Sequence, residues 1–260
     1  TSFPCVPGHE FCGEIVETGR DVKNCARGDM VTVMPFLGCV PRGIKPVCHS
    51  CASGIPGNCE NFAEGAFSPG MFIGICRDVN GGFAEYVVAH RNQVFRVPKG
   101  VSPESATLTE PLAVGLQAVI DNMPGHDDRV LVIGGGVIGA MVVKSIRALG
   151  SRCDITVVEP APHCADYCTK SGADRVIGGG LIEAAVELAG GRAYRPLLGE
   201  RVVMGGFERI YDTVGHQDTL NLSLRILAAD GTLSVIGIGK NVNLDLTPLW
   251  LKGQTLKGCF

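Results

Sequence analysis

No run of like charge, no internal repeat and no low-complexity segment interrupts this 260-residue sequence. With 23 basic against 26 acidic side chains, the formal charge of −3 leaves no basic excess of the kind that holds nucleic acid. Also missing is an apolar stretch able to cross a bilayer. The longest, residues 130–143, is broken by glycines and falls short of the roughly 20 residues required. No signal-peptide pattern is visible. Twelve cysteines invite a disulfide reading, but dense disulfide frameworks belong to small secreted modules, and this chain can build a core of its own. The length fits one or two domains. What is abundant is glycine, 36 residues of it, which suits a fold rich in tight strand–loop junctions.

Residues 130–159 carry the densest signal. Residues 130–133 form a short continuous apolar run, as a strand buried on both faces of a parallel sheet should. Gly134, Gly136 and Gly139 follow at G-x-G-x-x-G spacing. From Val137 onward apolar residues recur at helical intervals (Ile138, Met141, Val142, Ile146, Leu149), and Gly150 stands where a helix C-terminus wants it. Residues 155–158 read as a second strand, closed by Glu159 twenty residues after Gly139. A bare glycine triplet is also what an ordinary turn looks like. Strand, helix and acid in register point to dinucleotide binding. Gly134 permits the turn, Gly136 admits the pyrophosphate, and Gly139 lets helix and strand pack closely. The helix start, with Val137 and Ile138, offers free N–H groups to the phosphates. Glu159 would accept from the adenosine ribose hydroxyls and repel a 2′-phosphate, and Pro160, Ala161 and Pro162 offer no cation to receive one. The expected cofactor is NAD.

Further strands are expected at 175–177, 209–212, 232–236 and 255–257, with helices at 182–188 and 220–227. Six strands alternating with helices make a doubly wound, parallel-sheet α/β domain of the Rossmann type. Val214 and Ile236, at strand ends near the crevice, are candidate cofactor contacts. Residues 190–206 are longer than this pattern needs, and Pro196 with five glycines argues against a helix there. The domain boundary is expected near residues 115–123, giving 1–116 and 117–260.

The first part is different in kind. Pro7-Gly8-His9-Glu10 reads as a turn feeding a strand, and Gly28-Asp29 as a turn before a strand at 30–34, so residues 1–116 read as a small β-rich domain. Cys48 and Cys51, then Cys59 with seven residues between, lie in a Gly/Pro-rich lobe, with eight residues between Cys39 and Cys48. Converging thiolates suit a closed tetrahedral zinc site. The alternative is a lobe holding no metal. The other eight cysteines read as small buried hydrophobes. Glu110 begins a helical stretch, where an acid is favourable by the helix dipole alone.

Taken together, the P-G-H-E-x-x-G segment, the later G-D-x-V at Gly28–Val31, the cysteine spacing and the E-P-L-x-V at Glu110–Val114 resemble the zinc-containing medium-chain dehydrogenase/reductase family. The polyol, glucose and threonine dehydrogenase type is the nearest. The resemblance implies a partial GroES-like catalytic domain before the nucleotide domain, with residues 81–87 matching the family strand that returns to the catalytic core. It implies a catalytic zinc on His9 and Glu110, with Glu10 as ligand or outer partner, and a structural zinc on Cys39, Cys48, Cys51 and Cys59. The family's usual first cysteine would fall at Lys45, so Cys39 must serve through a bulged loop. The implied reaction is hydride transfer between an alcohol, polyol or sugar type favoured, and NAD, with zinc acting as Lewis acid. A carbonyl reductase and a non-catalytic nucleotide-binding relative are the alternatives. The resemblance also implies a cytoplasmic homodimer or homotetramer acting on a small alcohol or carbonyl, with no nucleic acid or membrane partner. The family pattern extends past both ends, so an internal fragment, inactive alone and lacking a further zinc ligand ahead of Thr1, is expected.

Overall fold

Regular structure is sparse in the first of two units, Thr1–Glu110. The structure is a computed structural model that describes residues 1–197, 199–237, 239 and 241–260. Strands β1 (Cys12–Glu14), β2 (Met30–Val33) and β3 (Val94–Arg96) pair antiparallel in that order. Val31 and Val33 turn inward from β2, and a small core gathers Val33 with Leu37, Ile73, Cys76 and Val79. Helix α1 (His49–Ala52) sits within the cysteine lobe. Helix α2 (Pro103–Thr107) begins with Ser102 as its cap, accepting from the Ser105 N–H, and with proline at its first position. Helix α3 (Thr109–Asp121) carries Glu110 in its first turn.

The strand expected over residues 81–87 does not form. The amides of Gly81, Gly82 and Phe83 donate instead to the carbonyls of Val6, Gly8 and Pro7, at 2.8, 2.9 and 3.1 Å. They are used to hold the turn ahead of His9, so no ladder is left for a strand, and Phe83 is 80% exposed.

The second unit, Pro111–Phe260, is organised by a six-stranded parallel sheet. In chain order come β4 (Arg129–Ile133), α4 (Val137–Ala148), β5 (Asp154–Val158), α5 (Pro162–Ser171), β6 (Arg175–Ile177) and α6 (Leu181–Glu187). A two-stranded antiparallel pair, β7 (Arg192–Tyr194) and β8 (Val202–Met204), leads into β9 (Phe207–Asp212), α7 (Gln217–Ile226), β10 (Leu227–Val235), α8 (Thr247–Leu251) and β11 (Thr255–Gly258). The order across the sheet is β11-β10-β9-β4-β5-β6. Side chains alternate between its faces, and the core divides accordingly. Val130, Val132, Ile155, Val157 and Tyr211 pack on one face with α3, α4 and α5. Leu131, Ile133, Ile210 and Leu233 pack on the other with α6 and α7. Burial of each such aliphatic side chain contributes about 1.5–3 kcal/mol, which is why the apolar runs of β4 and β5 become central strands.

The doubly wound expectation holds, with three differences. Helix α7 starts at Gln217, earlier than expected, because the His216 ring accepts from the Asp218 N–H and caps it. Strand β10 starts at Leu227 and is irregular up to Thr232, where Asp230 adopts a positive φ of 56°. The segment 190–206 forms the β7–β8 pair, rooted by buried Val203; Leu198 lies outside the described residues. Of the eight cysteines expected to be buried, Cys76, Cys153 and Cys168 are, while Cys5, Cys12, Cys25, Cys164 and Cys259 are only half-buried. They stand at turns and element ends, where packing is one-sided. Among the described residues, no helix is long and apolar enough to cross a membrane.

Candidate active site and metal centres

His9 follows Gly8, whose φ of 101° is left-handed backbone that favours glycine. The turn points His9 toward Phe72, the two rings lying 4.8 Å apart at 49°. Donor atoms of His9, Glu10 and Glu110 gather within 4.8 Å of one another, a spacing one ion can bridge. Burial pushes the Glu110 carboxyl above its ordinary value; His9 opposes that shift and the neighbouring Glu10 adds to it. Two acids crowded beside one imidazole leave negative charge in need of a cation. The donor set therefore fits a hard or borderline metal ion.

The cysteine lobe gathers its ligands more tightly. Cys39, Cys48, Cys51 and Cys59 also converge within 4.8 Å. The Cys39 and Cys59 sulfurs lie 3.7 Å apart, and a tetrahedron with zinc–sulfur bonds of about 2.3 Å has edges of about 3.8 Å. Every sulfur accepts a backbone N–H: Cys39 Sγ from Cys48, Cys48 Sγ from Cys51, Cys51 Sγ from Cys39, and Cys59 Sγ from Asn61, all at 3.3 to 3.5 Å. Such bonds favour thiolates. The Cys51 N–H bond, above all, brings the half-exposed Cys48 thiol down to about 6, whereas burial pushes Cys51 up to about 12 and raises Cys59. Lys45, where the family's usual first cysteine would fall, is exposed.

A residue without a functional reading in the sequence holds this lobe together. Arg42 is 1% exposed, and all five of its guanidinium N–H donors reach backbone carbonyls, those of Leu37, Glu64, Phe67, Ser68 and Gly70. It ties the cysteine loop to residues 64–70. The only trace in the sequence is a lone arginine between Pro41 and Gly43 in the insertion ahead of Cys48.

In the second unit Gly134 has φ 90° and Gly136 caps α4 without a side-chain bond. A Cβ on Gly139 would lie 1.9 Å from the Gly134 carbonyl oxygen, so helix and strand approach as the motif requires, while one on Gly136 would meet nothing within 4 Å. The space over Gly136 is open to a pyrophosphate, and the first-turn amides of Val137 and Ile138 have no partner within the helix. Glu159 is held from two sides. Its Oε2 accepts from the Gly135 N–H at 2.8 Å and its Oε1 from the Ala161 N–H at 2.7 Å. Val214 is exposed beyond the end of β9, and Ile236 is half-buried against the sheet. Cys168 lies beneath the glycine turn, donating to the Gly135 carbonyl at 3.3 Å.

Comparison with known proteins gives a consistent picture. Residues 1–99 match the family model described as alcohol dehydrogenase GroES-like domain, and residues 137–260 the one described as zinc-binding dehydrogenase. The L-threonine 3-dehydrogenase of Francisella tularensis subsp. mediasiatica is 28% identical over 259 residues, 99% of this chain and 68% of that protein. A Sinorhizobium meliloti protein described as a zinc-binding dehydrogenase, solved with NADP bound, superposes with TM-score 0.79 at 27% identity, covering 100% of this chain and 69% of that one. The 2R,3R-butanediol dehydrogenase of Bacillus subtilis superposes with TM-score 0.77 at 25% identity, covering 100% and 66% respectively.

Proposed function

Because this chain belongs to the zinc-containing, alcohol dehydrogenase-like medium-chain dehydrogenase/reductase family, we propose that it oxidises an oxygen-rich alcohol with NAD at a zinc site formed by His9 and Glu110, with Glu10 as alternate ligand or outer partner. It is an oxidoreductase that works with zinc and a nicotinamide dinucleotide. The observation that carries the site assignment is the convergence of His9, Glu10 and Glu110 within 4.8 Å. Catalytic zinc keeps three protein ligands and an open position; His9 and Glu110 supply two of these ligands, and Glu10 is the alternate. When bound, zinc supplies Lewis acidity toward the substrate oxygen and the dinucleotide supplies the hydride acceptor. The chain's own residues orient both. Gly8 and Phe72 fix the imidazole, and α3 holds Glu110 in its first turn. Two carboxylates in place of thiolates make a hard site, which fits polyol or sugar hydroxyls better than apolar alcohols. The hydroxyl-bearing substrates named for the threonine and butanediol relatives agree with that class.

NAD is favoured over NADP because the Glu159 carboxylate, clamped by Gly135 and Ala161, has little freedom to leave a 2′-phosphate's place. Gly134, Gly136, Val137, Ile138 and Gly139 cradle the pyrophosphate, with Val214 and Ile236 toward the nicotinamide end. A second, structural zinc belongs to Cys39, Cys48, Cys51 and Cys59. In this reading residues 1–116 carry the metals and residues 117–260 the dinucleotide. Self-association is proposed along β11, an edge strand with exposed Leu256 and followed by exposed Phe260, as a homodimer or homotetramer in the cytoplasm. The test measures bound metal and then screens alcohols, polyols and sugars with NAD and NADP. In the full-length protein, two zinc ions per chain and a higher kcat/KM with NAD are expected. Equal use of NADP would overturn the cofactor preference.

A further inference from the structure

Strands β4 and β9 are neighbours at the point where the sheet order reverses, and open α/β sheets bind their ligands outside the carboxyl ends of such a pair. Ile133 and Asp212 lie opposite each other in register as the last residues of these two strands. One side of the switch point therefore continues into Gly134 and the other into Thr213, Val214 and Gly215. Asp212 is fully buried there. Its Oδ1 accepts from the Val214 N–H at 2.8 Å and the Gly215 N–H at 2.9 Å. Its Oδ2 is buried with no hydrogen-bond partner among the described residues.

Among the described residues the bonds of this side chain are both made by Oδ1, and both go to the turn that follows β9. What the carboxylate holds is a turn that touches both cofactor loops. Thr213 reaches across the switch point: its Oγ1 donates toward the carbonyls of Ile133 at 2.8 Å and Gly134 at 3.2 Å, and its N–H toward that of Ile133 at 3.0 Å. On the other side the Asp212 carbonyl accepts from Ile236 and Gly237 at 2.9 and 3.0 Å. Gly215 has φ 69°, and its backbone is so close to Gly237 that a Cβ there would lie 2.4 Å from the Gly215 nitrogen.

We propose that Asp212 is a positioning residue for the dinucleotide, fixing the Thr213–Gly215 turn so that it braces the Gly134 loop and the Ile236–Gly237 loop in their binding-competent positions. Asp212 acts through the turn and need not touch the cofactor. The inference rests on the reading that the dinucleotide occupies the glycine loop, and the wild-type measurement tests that reading separately.

NADH affinity of the purified protein is measured by fluorescence titration, beside KM for NAD and for the alcohol. Wild type that fails to bind NADH refutes the cofactor reading itself. Given binding, Asp212→Ala is expected to weaken NADH about tenfold or more, raising KM for NAD while KM for the alcohol stays within about twofold. Asp212→Asn, which keeps the Oδ1 acceptor, should recover most of that loss. Thr213→Val, which removes the brace while keeping the shape, should weaken NADH about threefold or more whether or not Asp212→Ala folds. A folded Asp212→Ala that binds NADH within about twofold of wild type overturns the proposal. So does a silent Thr213→Val, and so does an Asp212→Asn no better than alanine.

Discussion

The four cysteines of residues 39–59 and the His9, Glu10, Glu110 group each gather their donor atoms within 4.8 Å, yet their surroundings differ. Cys39 and Cys59 are buried, each sulfur accepts a backbone N–H, and Arg42 locks the loop from behind with five bonds. Nothing in that arrangement leaves a ligand position for substrate. His9 and Glu110 are half-buried and Glu10 is exposed; one ring contact steadies the histidine, and two carboxylates repel each other. A closed, soft, fully bonded cage suits a metal that stays and contributes to folding. An open, hard, charge-strained group suits a metal that must also meet an alcohol oxygen. The lesson is that the ligand count alone does not separate structural from catalytic sites; the hydrogen bonds behind the ligands do.

The largest effects should break the comparison cleanly. In the full-length enzyme, His9→Ala and Glu110→Ala are each expected to reduce turnover by about a thousandfold or more, while NADH affinity and the metal on the cysteines stay near wild type. Metal analysis with steady-state kinetics checks this, and a Glu110→Ala enzyme with nearly full kcat would leave Glu110 as a helix-start acid only. Cys51→Ala should do the opposite. It should remove the metal of the lobe and destabilise the protein by several kcal/mol, roughly the effect of losing a folding-coupled site, with NADH affinity little changed. Thermal unfolding and zinc stoichiometry report it.

Arg42 sharpens the contrast within the lobe. Arg42→Met leaves five carbonyls without their donor, those of Leu37 and Gly70 buried, and should cost about 3 kcal/mol or more, and Arg42→Lys, with three donors, should recover only part. Unchanged melting of Arg42→Met would mean that the cysteines and their metal hold the lobe unaided.

The smallest effect lies outside both metal sites. Burial pushes Lys252 down to about 8, even though its ammonium donates to the carbonyls of Val203, Arg225 and Leu227. The unfolded chain holds that proton up to about pH 10.4, so between the two values the unfolded state binds more protons and stability rises with pH. Below about pH 8 this contribution is absent. The gain is at most about 3 kcal/mol across that window. Denaturation of wild type and Lys252→Met at pH 7.5 and 10 checks it: the wild type should gain relative to the variant as pH rises.

Much of this was legible in the chain. The apolar runs of β4 and β5, the glycine triplet and Glu159 are local patterns, and local backbone geometry follows from them: a strand, a turn that only glycine tolerates, a helix start. The cysteine spacing likewise announced a metal lobe. Residues 81–87 misled because they resemble a family strand, whereas the amides of Gly81, Gly82 and Phe83 are taken by a turn more than seventy residues earlier.

What sequence alone determined was therefore which segments form the parallel sheet and which residue types can ligate a metal, because periodicity and donor chemistry are carried within a few residues. Only the tertiary structure decided which donors meet. Cys39 joins cysteines 9, 12 and 20 residues away, and His9 meets Glu110 across most of the first unit. Arg42 finds its five carbonyls, and Asp212 its place opposite Ile133, in the same way. These contacts depend on where long loops close, and loop closure is settled by packing and backbone hydrogen bonds that no short stretch of residues encodes.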